Sequence, residues 1–234
     1  MGLFLQTALF PGCDESIARD AVEAVAKIPA FHIDPETCRY AQNYEGTQVL
    51  MEGDCLGFAP LAKALSDVAE NPVLLLYIYD GDYWGYDFYG GDEEDHFNTV
   101  PDYFGPVSPE EKQRLTGNPA ALSGWLPTWD TGMMRRYLVH WSDLDKDAMD
   151  ETACPDDRFT YGDCWQMTDF MARLGFPWAF DQLQEAPPLQ PLYPKLREIL
   201  ERELPPVSTE VPPEGKALLD RLPSALSPED VRRL

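Results

Sequence analysis

The residues best equipped for chemistry lie in one stretch: Asp80, Asp82, Asp87, Asp92, Glu93, Glu94, Asp95 and His96. Gathered at one end of a hairpin, such carboxylates could hold Ca²⁺ or Mg²⁺, which need several oxygens at short range. The spacing argues for less. The stretch lacks the third ligand and the glycine of an EF-hand loop, and turns select Asp for local hydrogen bonding. Asp80-Gly81-Asp82 therefore reads as a turn, Asp92 to Asp95 as a solvated loop, and no metal or cofactor is assigned. The chain has three histidines, His32, His96 and His140, and none is within a helical turn of another, as a zinc hydrolase usually requires. His96 reads as a rim residue and His140 as a half-buried one. Cys13, after Pro11-Gly12, stands where a helix N-terminus would stabilise a thiolate, but a buried or capping cysteine is the preferred reading. No nucleophile elbow, phosphate loop, dinucleotide fingerprint or H-E-x-x-H is present.

Aromatic residues give a second signal. Tyr77, Tyr79, Tyr83, Trp84, Tyr86, Phe88, Tyr89, Tyr103 and Phe104 crowd the same part of the chain. Tyrosine and tryptophan in an acidic surround suit a protein-binding face, because they offer large contact area at small entropy cost. Strands also favour these residues, so the competing expectation is that half of them pack under helices. The candidate binding residues are Tyr79, Asp80, Asp82, Tyr83, Trp84, Tyr86, Asp95, His96 and Tyr103; no catalytic residue is assigned.

The elements that must position them read as follows. Val73 to Tyr79 is an uninterrupted apolar run, the pattern of a central strand buried on both faces. The Asp-Gly step is a type I′ hairpin signal. It leads into Tyr83 to Tyr89, with Trp84, Tyr86 and Phe88 on one face and Tyr83, Gly85, Asp87 and Tyr89 on the other. Gly90-Gly91 turns the chain into a third strand, Asp95 to Thr99, completing a meander. Upstream, Leu3 to Phe10 predicts a strand, and a helix capped by Asp14 or Ser16 runs to about Lys27 on an Ile17, Ala21, Ala24, Val25 and Ile28 face. Phe31 to Ile33 predicts a short strand, Arg39 to Asn43 and Gln48 to Glu52 a hairpin, and Phe58 to Ala69 a helix with Leu61, Leu65 and Val68 inward.

This order predicts an α+β fold, a mixed or antiparallel sheet with a C-terminal meander and two helices on one face, similar to a split βαβ unit. Beyond Phe104, Ser108-Pro109 starts a helix, Ala120 to Leu126 and Tyr161 to Leu174 read as helices, and Asp143 to Asp157 as a solvated acidic stretch. The expected domains are 1–105, an α+β sandwich; 106–185, a helical extension packed on it; and 186–234, a Pro-rich tail. Ten of the 22 prolines fall in that tail. Its helix, Tyr193 to Leu204, could dock on another copy through Tyr193, Leu196, Ile199 and Leu200.

Composition narrows the functions further. The chain has 234 residues, 44% of them hydrophobic, enough for a sizeable core, and a net charge of −23. That charge opposes binding to nucleic-acid phosphates or anionic membranes and leaves neutral or basic proteins as partners. Five cysteines, an odd number with no C-x-x-C pair, suggest a reducing compartment. No signal peptide, membrane span or myristoylation pattern is legible, so the cytoplasm is the expected location.

Two blocks, Asp80-Gly-Asp-Tyr-Trp-Gly-Tyr with Phe97-Asn98, Pro101-Asp102-Tyr103-Phe104 and Gly117-Asn118-Pro119, and then Tyr161-Gly-Asp-Cys-Trp-Gln with Asp169-Phe170 and Leu174-Gly175, resemble a group of bacterial proteins of unassigned activity. The resemblance spans about residues 73–176. It implies that both blocks belong to one unit, with the Trp165 helix against the meander, and it carries over no catalytic residue. The leading expectation is a non-enzymatic cytoplasmic interaction protein. An immunity or antitoxin role fits it by analogy, because an acidic inhibitor gains on-rate against a basic target. The alternative is a metal-assisted hydrolase or transferase built on Asp80, Asp82, Asp95 and His96.

Overall fold

The computed structural model describes residues 3–51, 57–125 and 130–180. The fold is α+β, as the sequence predicts. Six strands form one sheet: β1 (Leu5–Pro11), β2 (Arg39–Asn43), β3 (Gly46–Met51), β4 (Val73–Tyr79), β5 (Tyr83–Gly90) and β6 (Glu93–Asn98), in the order β2-β3-β1-β4-β5-β6. Every pairing is antiparallel. The first four strands keep the split βαβ arrangement that the order predicts: β1 and β2 run in the same direction with β3 inserted antiparallel between them, and β4 lies on the other side of β1. The outer margin of β6 is covered by chain. Asn98 N–H donates to the Leu115 carbonyl at 3.2 Å, and Gly117 N–H to the His96 carbonyl at 3.0 Å.

Helices α1 (Glu15–Val25) and α2 (Phe58–Ala69) cover one face of the sheet. Alternation along the strands sends Ala8, Phe10, Val49, Met51, Val73 and Leu75 toward them. The stripes differ from the predicted ones by a small rotation. In α1, Ala18, Ala21, Val22 and Val25 are buried while Ile17 faces solvent, as does Ile28 beyond its end, and Val68 of α2 is likewise exposed. Small residues let α1 lie close to the strands, so the largest side chains of the periodic pattern fall on its outside. Phe31 to Ile33 is not a strand. Pro29 starts a 3₁₀ turn over Pro29–Phe31, and His32 ends it at φ +50°.

The opposite face is covered by residues 119–180. Short helices α3 (Pro109–Arg114), α4 (Pro119–Ser123), α5 (Thr131–Met134) and α6 (Lys146–Met149) precede the longer α7 (Gln166–Arg173). Met167, Phe170, Met171 and Leu174 of the α7 region pack with Trp84, Tyr86, Phe88 and Phe97 in one core. Burying each large ring contributes roughly 2–3 kcal/mol. The stripe predicted from Tyr161 starts later, because residues 161–165 form turns in which Asp163 Oδ1 accepts the Trp165 N–H at 2.8 Å. Nor is Asp143 to Asp157 uniformly solvated. Ala153 and Cys154 are buried, and the Asp157 side chain is 1% exposed. Its carboxylate accepts from Tyr137 Oη at 2.7 and 2.8 Å, Arg173 Nη2 at 2.6 Å and Cys154 N at 2.8 Å. The tail beyond residue 185, its predicted helix and the docking idea built on it lie outside the described residues, as do Glu52 and Leu126.

Candidate functional site: the aromatic end of the meander

The β4–β5 turn is the type I′ hairpin that Asp-Gly predicts. Asp80 and Gly81 have φ +54° and +78°, and Asp82 N–H donates to the Tyr79 carbonyl at 3.0 Å. This turn brings Tyr79 and Tyr83 side by side as the last cross-strand pair, with centroids 5.6 Å apart. The 99–105 loop folds back over them and adds Tyr103 and Phe104. Tyr79 contacts Tyr103 at 5.7 Å, Phe104 at 5.2 Å and Phe4 at 4.9 Å, and Tyr103 contacts Phe104 at 5.1 Å. Edge-to-face packing of this kind makes each ring a support for the next. The outer members remain in water: Phe104 is 75% exposed and Phe4 49%.

Carboxylates rim the rings. Asp82 Oδ2 accepts the Tyr103 hydroxyl at 2.6 Å, and this bond, with the nearby Asp80 charge, pushes the Tyr103 hydroxyl up to about 12. Asp80, Asp82 and Asp102 are exposed, and none has a cationic partner among the described residues. Beside the rings lies a cavity of about 180 Å³ between Pro101, Asp102, Pro106, Val107, Lys112 and Ser142.

Of the predicted binding residues, Tyr79, Asp80, Asp82 and Tyr103 meet at this surface, with Tyr83 buried beneath it. Trp84 and Tyr86 do not belong to a contact face. They are fully buried on the opposite side of the sheet against Phe97 and Phe170, and Trp84 Nε1 donates to Gln166 Oε1 at 3.3 Å. Strand alternation, already visible in the sequence, separated them from Tyr83. The aromatic content alone could not show which face the C-terminal layer would cover. Phe4, Phe104 and Asp102 complete the surface; of these, the aromatic crowding marked Phe104, but no signal connected Phe4 with the meander.

Asp95 and His96 lie at the other end of β5–β6 and on opposite faces of it. Asp95 accepts the Tyr86 hydroxyl at 2.6 Å and the Asn118 N–H at 2.8 Å, and burial raises its carboxyl above the ordinary range. His96 is no rim residue. It is 3% exposed, and its Nδ1–H donates to Asp87 Oδ1 at 2.6 Å. A carboxylate that orients an imidazole is the support a histidine base uses. Among the described residues the His96 Nε2 has no hydrogen bond. The pairing could have been read from the sequence, since a turn centred on Gly91-Asp92 sets Asp87 opposite His96.

The carboxylates of the metal-assisted alternative therefore never converge. Asp80 and Asp82 point into solvent at one end, and Asp95 is engaged at the other. Among the described residues, no group of three or more His, Cys, Asp and Glu side chains could hold a metal ion. Cys13 is buried beneath α1 with its thiol raised by burial and by Asp14, opposite to what a thiolate nucleophile requires. No described helix is long and apolar enough to cross a membrane. Comparison with protein-family models, with curated proteins and with solved structures found no match.

Proposed function

We propose that the protein binds another protein through the aromatic end of its meander, with Phe4, Tyr79, Tyr103 and Phe104 as the contact and Asp80, Asp82 and Asp102 as its rim. One observation carries the reading. Phe104 and Phe4 hold their rings in water while packed on Tyr79, an exposed apolar group that a monomer gains nothing by maintaining. Rings already fixed by their neighbours lose little freedom on binding, the property of an interface anchor. The charge of −23 favours a partner of opposite sign, and an inhibitor of a basic enzyme is the narrower form of the same reading. The odd cysteine count supports a reducing cytoplasm as the place where it acts.

The test is capture of a partner on the wild-type chain, followed by affinity measurements with both purified proteins for wild type and Phe104→Ala. At 75% exposure the substitution should leave the fold intact, which circular dichroism checks. Affinity lost by at least about tenfold identifies the contact, since anchor rings contribute that much or more. Unchanged affinity sinks the proposal.

A further inference from the structure

Resting on that contact reading, we infer that the partner presents an arginine to this surface, and that the aromatic end is a guanidinium-binding site. The cluster holds two of the three parts of such a contact. It offers exposed ring surface, on Phe104 with the half-buried Tyr103 beside it, and carboxylates, on Asp80, Asp82 and Asp102, yet no Lys or Arg among the described residues pairs with any of these acids. Elsewhere the chain shows the complete arrangement. Arg19 lies over the Tyr40 ring at 3.9 Å while its guanidinium pairs with Glu15 at 2.6 Å. A ring face below and a carboxylate at the rim match a planar guanidinium, which stacks and hydrogen-bonds at once.

The rim is also fixed in place. The Tyr103 hydroxyl holds Asp82 at 2.6 Å through one oxygen and leaves the other to accept from a ligand. Asp80 stands two residues away across a turn locked by positive φ at Asp80 and Gly81. Lysine fits less well: a compact ammonium offers no plane to stack and is more strongly hydrated.

The probes are labelled arginine–glycine, lysine–glycine and citrulline–glycine repeat peptides, titrated against the full chain by fluorescence anisotropy. Citrulline keeps the planar shape and removes the charge. The proteins are wild type, Phe104→Ala, the Asp80→Asn/Asp82→Asn double variant, and an Asp147→Asn/Asp150→Asn double variant that removes the same charge elsewhere. The inference expects the arginine peptide to bind most tightly. It expects that affinity to fall about tenfold or more in Phe104→Ala and in the Asp80/Asp82 variant, and to change less than about twofold in the remote one. Equal losses in the two double variants would show a general field effect and overturn it. So would absence of binding, equal affinity for the lysine peptide, or a concentration-dependent dimer through the same surface. Citrulline binding as well as arginine, with Phe104→Ala still weakening both, would overturn the guanidinium while leaving the contact reading standing. Indifference of every peptide to Phe104→Ala would remove both.

Discussion

Asp169 illustrates what one buried group does to stability. Its Oδ2 accepts the N–H groups of Arg158 and Phe159 at 2.9 and 2.8 Å, and burial pushes the carboxyl from 3.8 to about 6. A folded pKa above the ordinary value means that the folded state holds this proton more tightly. The resulting stabilisation is fully present below the ordinary carboxylate pKa and is lost as pH rises through about 6, an effect on the order of 3 kcal/mol. Asp169→Asn keeps an acceptor for both N–H groups without the charge. Urea unfolding at about pH 8 should find it as stable as wild type or more so, with a flatter pH dependence between about 4 and 6. An unchanged pH slope would refute the assignment. Gly85 gives a second prediction: a Cβ there would meet the Phe97 carbonyl at 2.5 Å and the Tyr77 hydroxyl at 2.7 Å. Gly85→Ala should cost about 2 kcal/mol in denaturant unfolding. At this scale the sequence was only partly legible. The Asp-Gly turn announced itself, but the burial of His96 did not: the Tyr89 ring meets its imidazole edge-on at 5.7 Å, and the chain from Leu115 to Gly117 lies along its strand, a contact that no local spacing encodes.

Elements divide by what holds them. β4 and α2 were legible to the residue because an unbroken apolar run and a clean 3.6-residue stripe are driven by the hydrophobic pattern alone. The 119–180 layer was not, because its helices other than α7 are four or five residues long and begin on single side-chain acceptors: Asn118 on Ala120 N, Asp130 on Gly132 N, Asp145 on Ala148 N. What fixes this layer is the Asp157 cluster, which no periodicity reveals. Arg173 bridges Asp156 and Asp157 at 2.6 Å each and also donates to Tyr137 Oη. Asp157→Ala should cost about 3–5 kcal/mol, since it leaves part of a buried charge network uncompensated. Guanidinium unfolding measures it, and a loss under about 1 kcal/mol would show that the layer is held by its apolar contacts instead.

For the whole molecule, the two sides of the sheet predict opposite mutational behaviour within one aromatic stretch. Trp84→Ala should lower stability by about 3–5 kcal/mol, and Phe104→Ala should change it by no more than about 0.5 kcal/mol, both read from thermal or chemical unfolding. The α+β class and the split βαβ order of the first four strands were legible because strand and helix patterns alternate in blocks, but the irregular layer that covers the second face was not. The chain lying along β6 bears on how copies of the protein can associate. Cross-strand growth of a sheet needs a free row of N–H and C=O groups on both sides of each added unit. Here Leu115 and Gly117 occupy one side, so on the described residues only β2 offers a free row. Two copies joined along Arg39–Asn43 would have no row left to recruit a third, and edge-to-edge self-association would stop at a pair without running on into a filament.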